Sequence, residues 1–191
     1  RDLVRSRGLG DVYKRQLQIH EAMRKGEVTP SALVAESAKR IAEDSNNAFE
    51  KTLLDQATEQ AASLTCFEEG NPLYGIPYVA KDNFSTKGIE TTASSNVLNG
   101  YVPLFDATVI KKLADRKCVM MGKSTLDELA MGGTGTTGHK GITYNPYDPS
   151  HERMVGGSSC GSAASMAEGE AVFALGSDTG DSVRKLSLIH I

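Results

Sequence analysis

Between residues 76 and 175, short apolar runs alternate with helical stretches, and this alternation confines the chain to a layered α/β domain. Ile76-Pro77-Tyr78-Val79-Ala80 follows the turn cluster Glu69-Gly70-Asn71-Pro72 and predicts a buried strand ending at Lys81. Asp106 predicts a cap for a helix with Val109, Ile110 and Leu113 on one face. Cys118 to Met121 predicts another strand, and Thr125-x-x-Glu128 a capping box that opens a further helix. Beyond a loop over 132–157, rich in Gly, Thr, Pro and Asn, residues 162–168 predict a small-residue helix leading into a strand over 171–175.

Ahead of this alternation stands a helical arm. Thr29 offers a capping hydroxyl and Pro30 fits the first helical position, so Leu33, Val34, Ala38, Ile41 and Ala42 predict an amphipathic helix over 30–44. The Ala-, Glu-, Gln- and Leu-rich stretch over 49–64 predicts a second helix.

The two ends read differently from the middle. Residues 1–16 hold five basic residues and two acids without helical or strand period, and resemble translated sequencing-adapter DNA; residues 186–191 resemble another such string. The expected organisation is therefore a non-native segment over 1–16, the N-terminal part of a domain over 17–185, and a non-native tail over 186–191. On that reading the portion over 17–185 belongs to a longer chain, and the 191-residue piece alone is expected to be inactive and poorly stable.

The whole chain carries 21 Lys and Arg against 24 Asp and Glu, a net charge of -3; from residue 17 onward the net charge is -6. A surface that neutralises phosphates needs a basic excess, so nucleic acid has to be held mainly by something else. Cys66, Cys118 and Cys160 form no C-x-x-C pair, which argues against a disulfide framework or a zinc knuckle and for a reducing compartment. No apolar stretch reaches the length of a membrane helix, and the expected location is cytoplasmic.

Several motifs fail on context. Gly122-Lys123-Ser124 lacks the upstream glycine of a P-loop, because Lys117 stands there. Gly133-x-Gly135-x-x-Gly138 follows an expected helix rather than a strand and reads as a flexible loop. Gly157-x-Ser159-x-Gly161 matches a nucleophile elbow but lacks the strand before it, and its only downstream histidine is His190. His139 and His151 read as solvated loop histidines, and Cys160 as a small gap-filler.

Three segments remain: Gly75-Ile-Pro-Tyr-Val-Ala-Lys81-Asp-Asn, Gly156-Gly-Ser158-Ser-Cys-Gly-Ser-Ala-Ala and Gly176-Ser-Asp-Thr-Gly-Asp-Ser182-Val-Arg. Together and in this order they resemble the amidase signature family, over nearly all of 17–185. The step of 24 residues from Ser158 to Ser182 agrees with the family's spacing between its bridging and nucleophilic serines. The resemblance implies an amidase-signature fold, truncated here, with a central mixed sheet flanked by helices. It implies Ser182 as nucleophile, Ser158 as bridging serine after a cis Gly157-Ser158 peptide, Lys81 as base, and the backbone N–H groups of Thr179, Gly180 and Asp181 as oxyanion donors. The chain departs from the family where Asp181 and Cys160 replace glycine and Leu186 replaces proline.

The chemistry suits these residue types. A serine hydroxyl is a weak nucleophile that needs a base within reach, and a lysine serves only when neutral. Lys81 has to lose about 3 of its usual 10.4 pKa units, which burial can supply.

Within the family, Lys81-Asp-Asn-Phe-Ser-Thr-Lys-Gly-Ile, Asp106-Ala-Thr-Val and Leu126-Asp-Glu-Leu-Ala-Met-Gly most resemble the glutaminase subunits of tRNA-dependent amidotransferases. This implies glutamine as ammonia source, partner subunits B and C, and conversion of Glu-tRNA(Gln) to Gln-tRNA(Gln). It implies no cofactor and no metal in the glutaminase itself, with ATP and Mg used by a partner. The alternatives are a stand-alone amidase on small amides and a scaffold whose site has degenerated, the latter suggested by Asp181.

Overall fold

Lys81 ends the one described strand that is buried at every position in the computed structural model, which describes residues 8–187. That strand, β2 (Pro77–Lys81), lies inside a mixed sheet with β1 (Phe49–Thr52), β3 (Val119–Ser124) and β4 (Phe173–Leu175), in the order β1-β3-β2-β4. β2 runs parallel to both β3 and β4, with Lys81 opposite Ser124 and Ala80 opposite Leu175, while β1 is antiparallel to β3. Parallel neighbours need crossovers, and these contain α4 (Thr108–Asp115) and α5 (Cys160–Ala167). The expected layered α/β architecture is the one observed.

Strand alternation sorts the core. Val79 packs with Val119 and Met121 against Val34 and Ile41 of α2 (Pro30–Ala42) and Ala57 and Ala61 of α3 (Leu54–Ser63). Tyr78 and Ala80 turn to the other face, against Ile110 and Leu113 of α4, and Tyr78 stacks on Phe173 at 5.4 Å between ring centroids. Lys81, two residues beyond Val79, turns to the same face of the sheet as Val79.

The Thr29-Pro30 opening of α2 is as expected, with Thr29 Oγ1 accepting from the Ala32 N–H at 3.2 Å. Other elements differ. Residues 49–52 form β1 rather than the start of a helix, because Phe49 pairs with Ser124 and Thr52 with Gly122. Asp106 caps nothing: its Oδ1 accepts from the Lys87 N–H at 2.8 Å, and α4 begins after Ala107. The Thr125-x-x-Glu128 box is absent too. Thr125 Oγ1 donates to the Asn47 carbonyl at 3.0 Å and Glu128 Oε1 accepts from Ser95 at 2.7 Å. A single 3-10 turn, Glu128–Ala130, stands there instead, and its Leu129 and Ala130 at φ 52° and 60° cannot propagate a helix.

Of the two end segments, residues 1–7 and 188–191 lie outside the described residues. From Gly8 the chain is helical, α1 (Gly8–Arg24), although 1–16 shows no period in sequence. Ile19 and Met23 dock that helix beside Tyr74 and Ile76, and extending an anchored helix is far easier than nucleating one. A last turn, α6 (Arg184–Ser187), carries Leu186, which is buried over Gly156. No described helix is long and apolar enough to cross a membrane.

Candidate active site

Lys81 is fully buried, with its Nζ within 2.7 Å of Ser158 Oγ and 2.8 Å of Ser177 Oγ, and 3.4 Å from the Ser177 carbonyl. Burial pushes the ammonium down to about 8, with Cys160, Asp127 and Asp178 opposing the shift. Ser177 Oγ also accepts from Asn83 Nδ2 at 2.8 Å, so one hydroxyl joins the end of β2 to the turn after β4. Beside them Lys123 Nζ lies 2.9 Å from Asp82 Oδ1, both side chains shut off from water. Asp82 Oδ2 takes the N–H and hydroxyl of Thr92 at 2.7 and 2.8 Å, which fixes the backbone leaving Lys81.

Ser158 follows a cis Gly157-Ser158 peptide and is fully buried. Its carbonyl accepts from the Asp127 N–H at 3.1 Å. The Asp127 carboxylate in turn accepts from the backbone N–H groups of Thr134, Gly135, Thr136 and Thr137 at 3.0 to 3.3 Å. Burial opposes that charge, but the N–H groups outweigh it and hold Asp127 below its usual range. The G-x-G-x-x-G run is thus an ordered anion nest already filled by a protein carboxylate, rather than a flexible loop. Gly157 has to be glycine here, since a Cβ would collide with the Asp127 carboxylate.

Ser159, the elbow serine, is already engaged. Its Oγ donates to the Ser177 carbonyl and accepts from the Ser177 N–H, both at 3.2 Å. Cys160 is buried and its thiol is pushed up by burial, so it suits packing rather than attack. One helical turn on, Ser162 Oγ donates to the Leu175 carbonyl at 2.8 Å, binding α5 to β4.

Ser182 comes close to Ser158 across the fold, because the N–H of the adjacent Ser159 donates to the Ser182 carbonyl at 3.3 Å. Its side chain makes no hydrogen bond to Ser158 or Lys81 among the described residues. The geometry therefore joins Lys81 and Ser158 directly and brings Ser182 beside them without closing the last link. The preceding turn is held by Asp178, whose carboxylate accepts from the Val183 and Arg184 N–H groups at 2.9 and 3.0 Å and pairs with the Arg184 guanidinium. Those bonds, the Arg184 side chain first, hold Asp178 far below the carboxylate range. The N–H groups of Thr179, Gly180 and Asp181 have no acceptor among the described residues, and Asp181 is exposed.

Three supporting residues escaped sequence reasoning: Ser177, Asn83 and Asp127. All three sit inside segments already singled out, but Asp127 acts through a loop that only the fold brings to it. His139 is not solvated, since Nε2 lies 3.0 Å from Glu50 Oε2 and Nδ1 3.1 Å from Asn96 Oδ1. His151 is exposed, as expected. Among the described residues no group of three His, Cys, Asp or Glu side chains is placed to coordinate a metal ion.

A family model described as Amidase matches residues 32–185. A glutamyl-tRNA(Gln) amidotransferase subunit from Heliobacterium modesticaldum is 45% identical over 174 residues, covering 88% of this chain and 35% of that protein. The same subunit from Methanococcoides burtonii is 51% identical over 130 residues, covering 68% of this chain and 27% of that protein. The chain therefore spans about a third of the length of the curated relatives it matches. Among solved structures, the corresponding Thermotoga maritima protein superposes with a TM-score of 0.69 at 38% identity, over 83% of this chain and 33% of that one. A native peptide amidase from Stenotrophomonas maltophilia superposes with a TM-score of 0.77 at 32% identity, over 88% and 37%.

Proposed function

The chain belongs to the amidase family, and from that premise we propose that it carries the Lys81, Ser158 and Ser182 machinery of a glutaminase serving a tRNA-dependent amidotransferase. The observation that carries this reading is the buried 2.7 Å contact between Lys81 Nζ and Ser158 Oγ, with Ser182 held alongside.

In this reading neutral Lys81 takes the Ser158 proton, Ser158 takes the Ser182 proton, and Ser182 Oγ attacks the carboxamide carbon of glutamine. The oxyanion that forms is met by the N–H groups of Thr179, Gly180 and Asp181, which have no acceptor among the described residues. The proton returns through Ser158 to the amide nitrogen, the C–N bond breaks, and ammonia leaves a glutamyl ester on Ser182. Water, deprotonated by the same relay, then hydrolyses the ester. Ser177 and Asn83 fix where the amine points, and burial keeps it near the pH at which it can act.

Ammonia passes to the larger partner, which activates the glutamate of Glu-tRNA(Gln) with ATP and Mg, while the smaller partner holds the assembly. The relatives' names support that assignment, and the acidic charge supports leaving the tRNA to a partner. A stand-alone small-amide amidase is favoured by one observation, the superposition on peptide amidase.

A chimera in which residues 17–185 replace the matching third of the Heliobacterium relative, assembled with that organism's partner proteins, separates the readings. The glutaminase reading expects ammonia from glutamine and amidated tRNA, both lost in Ser182→Ala. Turnover of small amides with none of glutamine supports the stand-alone amidase, and no turnover of either supports a degenerate scaffold.

A further inference from the structure

Glu50 places a buried carboxylate on β1, and both of its oxygens are engaged. Oε1 accepts from Ser94 Oγ at 2.5 Å, while Oε2 lies 3.0 Å from His139 Nε2 and 3.4 Å from Lys140 Nζ. The other ring nitrogen of His139 meets Asn96 Oδ1 at 3.1 Å. Glu50 makes no hydrogen bond to Lys81, Ser158 or Ser182 among the described residues, so any influence on them passes through Ser94.

Ser94 is well placed to carry it. Ala93 and Ser94 are held at φ 49° and 50°, a left-handed backbone that residues with a side chain rarely adopt and that persists only where the surroundings hold it. Ser94 is fully buried, and each of its polar groups is used. Its N–H donates to Thr92 Oγ1 at 3.2 Å and its carbonyl accepts from the His139 N–H at 2.9 Å. Its Oγ, while donating to Glu50, accepts from the Leu126 N–H at 2.9 Å. From this dipeptide the path divides. The Ala93 N–H donates at 3.2 Å to the carbonyl of Asp82, the residue after Lys81. Leu126 precedes Asp127, whose N–H donates to the Ser158 carbonyl at 3.1 Å. A hydrogen bond to a carboxylate is firmer than one to a neutral acceptor, so Glu50 restrains the dipeptide from which both branches start.

We propose that Glu50 is a positioning residue for the 2.7 Å contact between Lys81 and Ser158, acting through Ser94, with His139 fixing its second oxygen. The proposal rests on the reading of Lys81 and Ser158 as the proton relay. Releasing the Ser94 hydroxyl lets the dipeptide relax, and the segments that follow Lys81 and lead to Asp127 shift with it. The amine and the hydroxyl then lose their alignment although neither is altered. Glu50 touches no substrate in this account, so the chemical step suffers and binding does not.

The test measures kcat and KM for glutamine in the chimera with its partner proteins, at urea-free conditions where each variant is folded. Glu50→Leu and Ser94→Ala are each expected to lower kcat about 10- to 100-fold with KM kept within about twofold. The double variant falls no further than the worse single one, because both act on one path. Glu50→Gln keeps an acceptor for Ser94 and stays within about threefold of the parent. A lower urea midpoint with unchanged kcat, additive losses, or a loss in Glu50→Gln as deep as in Glu50→Leu overturns the proposal. Amide hydrogen exchange in the 191-residue chain decides it without turnover. Glu50→Leu and Ser94→Ala are expected to speed exchange at the Ala93 and Asp127 amides about tenfold and to leave the α2 amides as in the parent. Unchanged exchange at Ala93 and Asp127, or an equal rise throughout α2, overturns the proposal, whereas a parent chimera that releases no ammonia contradicts the proposed function and leaves exchange to decide this one.

Discussion

Lys81 Nζ meets Ser158 Oγ at 2.7 Å in a place that neither residue shares with water, so the state of one amine governs the hydroxyl beside it. With its pKa brought down to about 8, the amine is protonated at low pH and donates to Ser158; only above that pH can it accept the Ser158 proton. The activity of the chimera, as kcat/KM against pH, is expected to rise through a single limb near 8. A limb near 6.5, the range of histidine, removes Lys81 as the base. The sign for stability comes from the same shift: between about 8 and 10.5 the unfolded lysine holds a proton that the folded one has released, so stability rises with pH across that window.

Ser177→Ala removes an acceptor from the Lys81 ammonium. Losing that bond disfavours the charged amine, so the kcat/KM limb is expected to move down by about one pH unit. A purely structural role for Ser177 lowers activity at every pH and leaves the limb in place.

Asp127→Asn weakens the grip on the 134–137 loop and on the segment carrying Ser158. Charge-assisted bonds are lost while size is kept, so the expected cost is about 2–3 kcal/mol in urea unfolding. With Ser158 displaced, kcat is expected to fall about 100-fold at little change in KM. Normal stability combined with normal kcat contradicts the positioning role.

Lys123→Met leaves Asp82 buried without its cation. Breaking one side of such a pair costs about 3–5 kcal/mol, measurable as a lower urea midpoint. A cost within about 1 kcal/mol, at the scale of exposed pairs, means that Asp82 is better hydrated than the fold suggests.

Glu170→Gln is expected to be more stable than the parent above pH 8. Between about 4.5 and 8 the unfolded carboxyl gives up its proton while the folded one keeps it, so the parent loses stability as pH rises across that window and levels off beyond it. The loss is about 5 kcal/mol, from 1.36 kcal/mol per pKa unit over the roughly 3.5 units by which burial raises the Glu170 carboxyl. Parallel stability-pH curves for the two proteins contradict a raised Glu170 pKa.

The features legible in the sequence were local ones. Thr29-Pro30 announces α2 because capping is a matter of adjacent residues, and Ile76–Ala80 announces β2 because a buried strand is apolar throughout. β1 stayed hidden, as four residues carry almost no period and its pairing with β3 depends on a segment about seventy positions away. Lys81, Ser158 and Ser182 stand out as candidates through the ordered segments that contain them, whereas nothing in the segment around Asp127 marks its role. Its partners are N–H groups, which every non-proline residue possesses, so no side-chain pattern advertises that they point at one carboxylate. His139 was misread for a related reason: its polar neighbours in sequence conceal Glu50 and Asn96 across the fold.

Attack by Ser182, driven by Lys81 through Ser158, is the step on which the proposed chemistry stands. Its most direct test is mass spectrometry of the chimera, acid-quenched during turnover of glutamine and digested. The predicted result is a glutamyl ester on the peptide bearing Ser182, absent from Ser182→Ala and from Lys81→Met. An ester on Ser158 or Ser159, or undiminished ammonia release by Ser182→Ala, contradicts it.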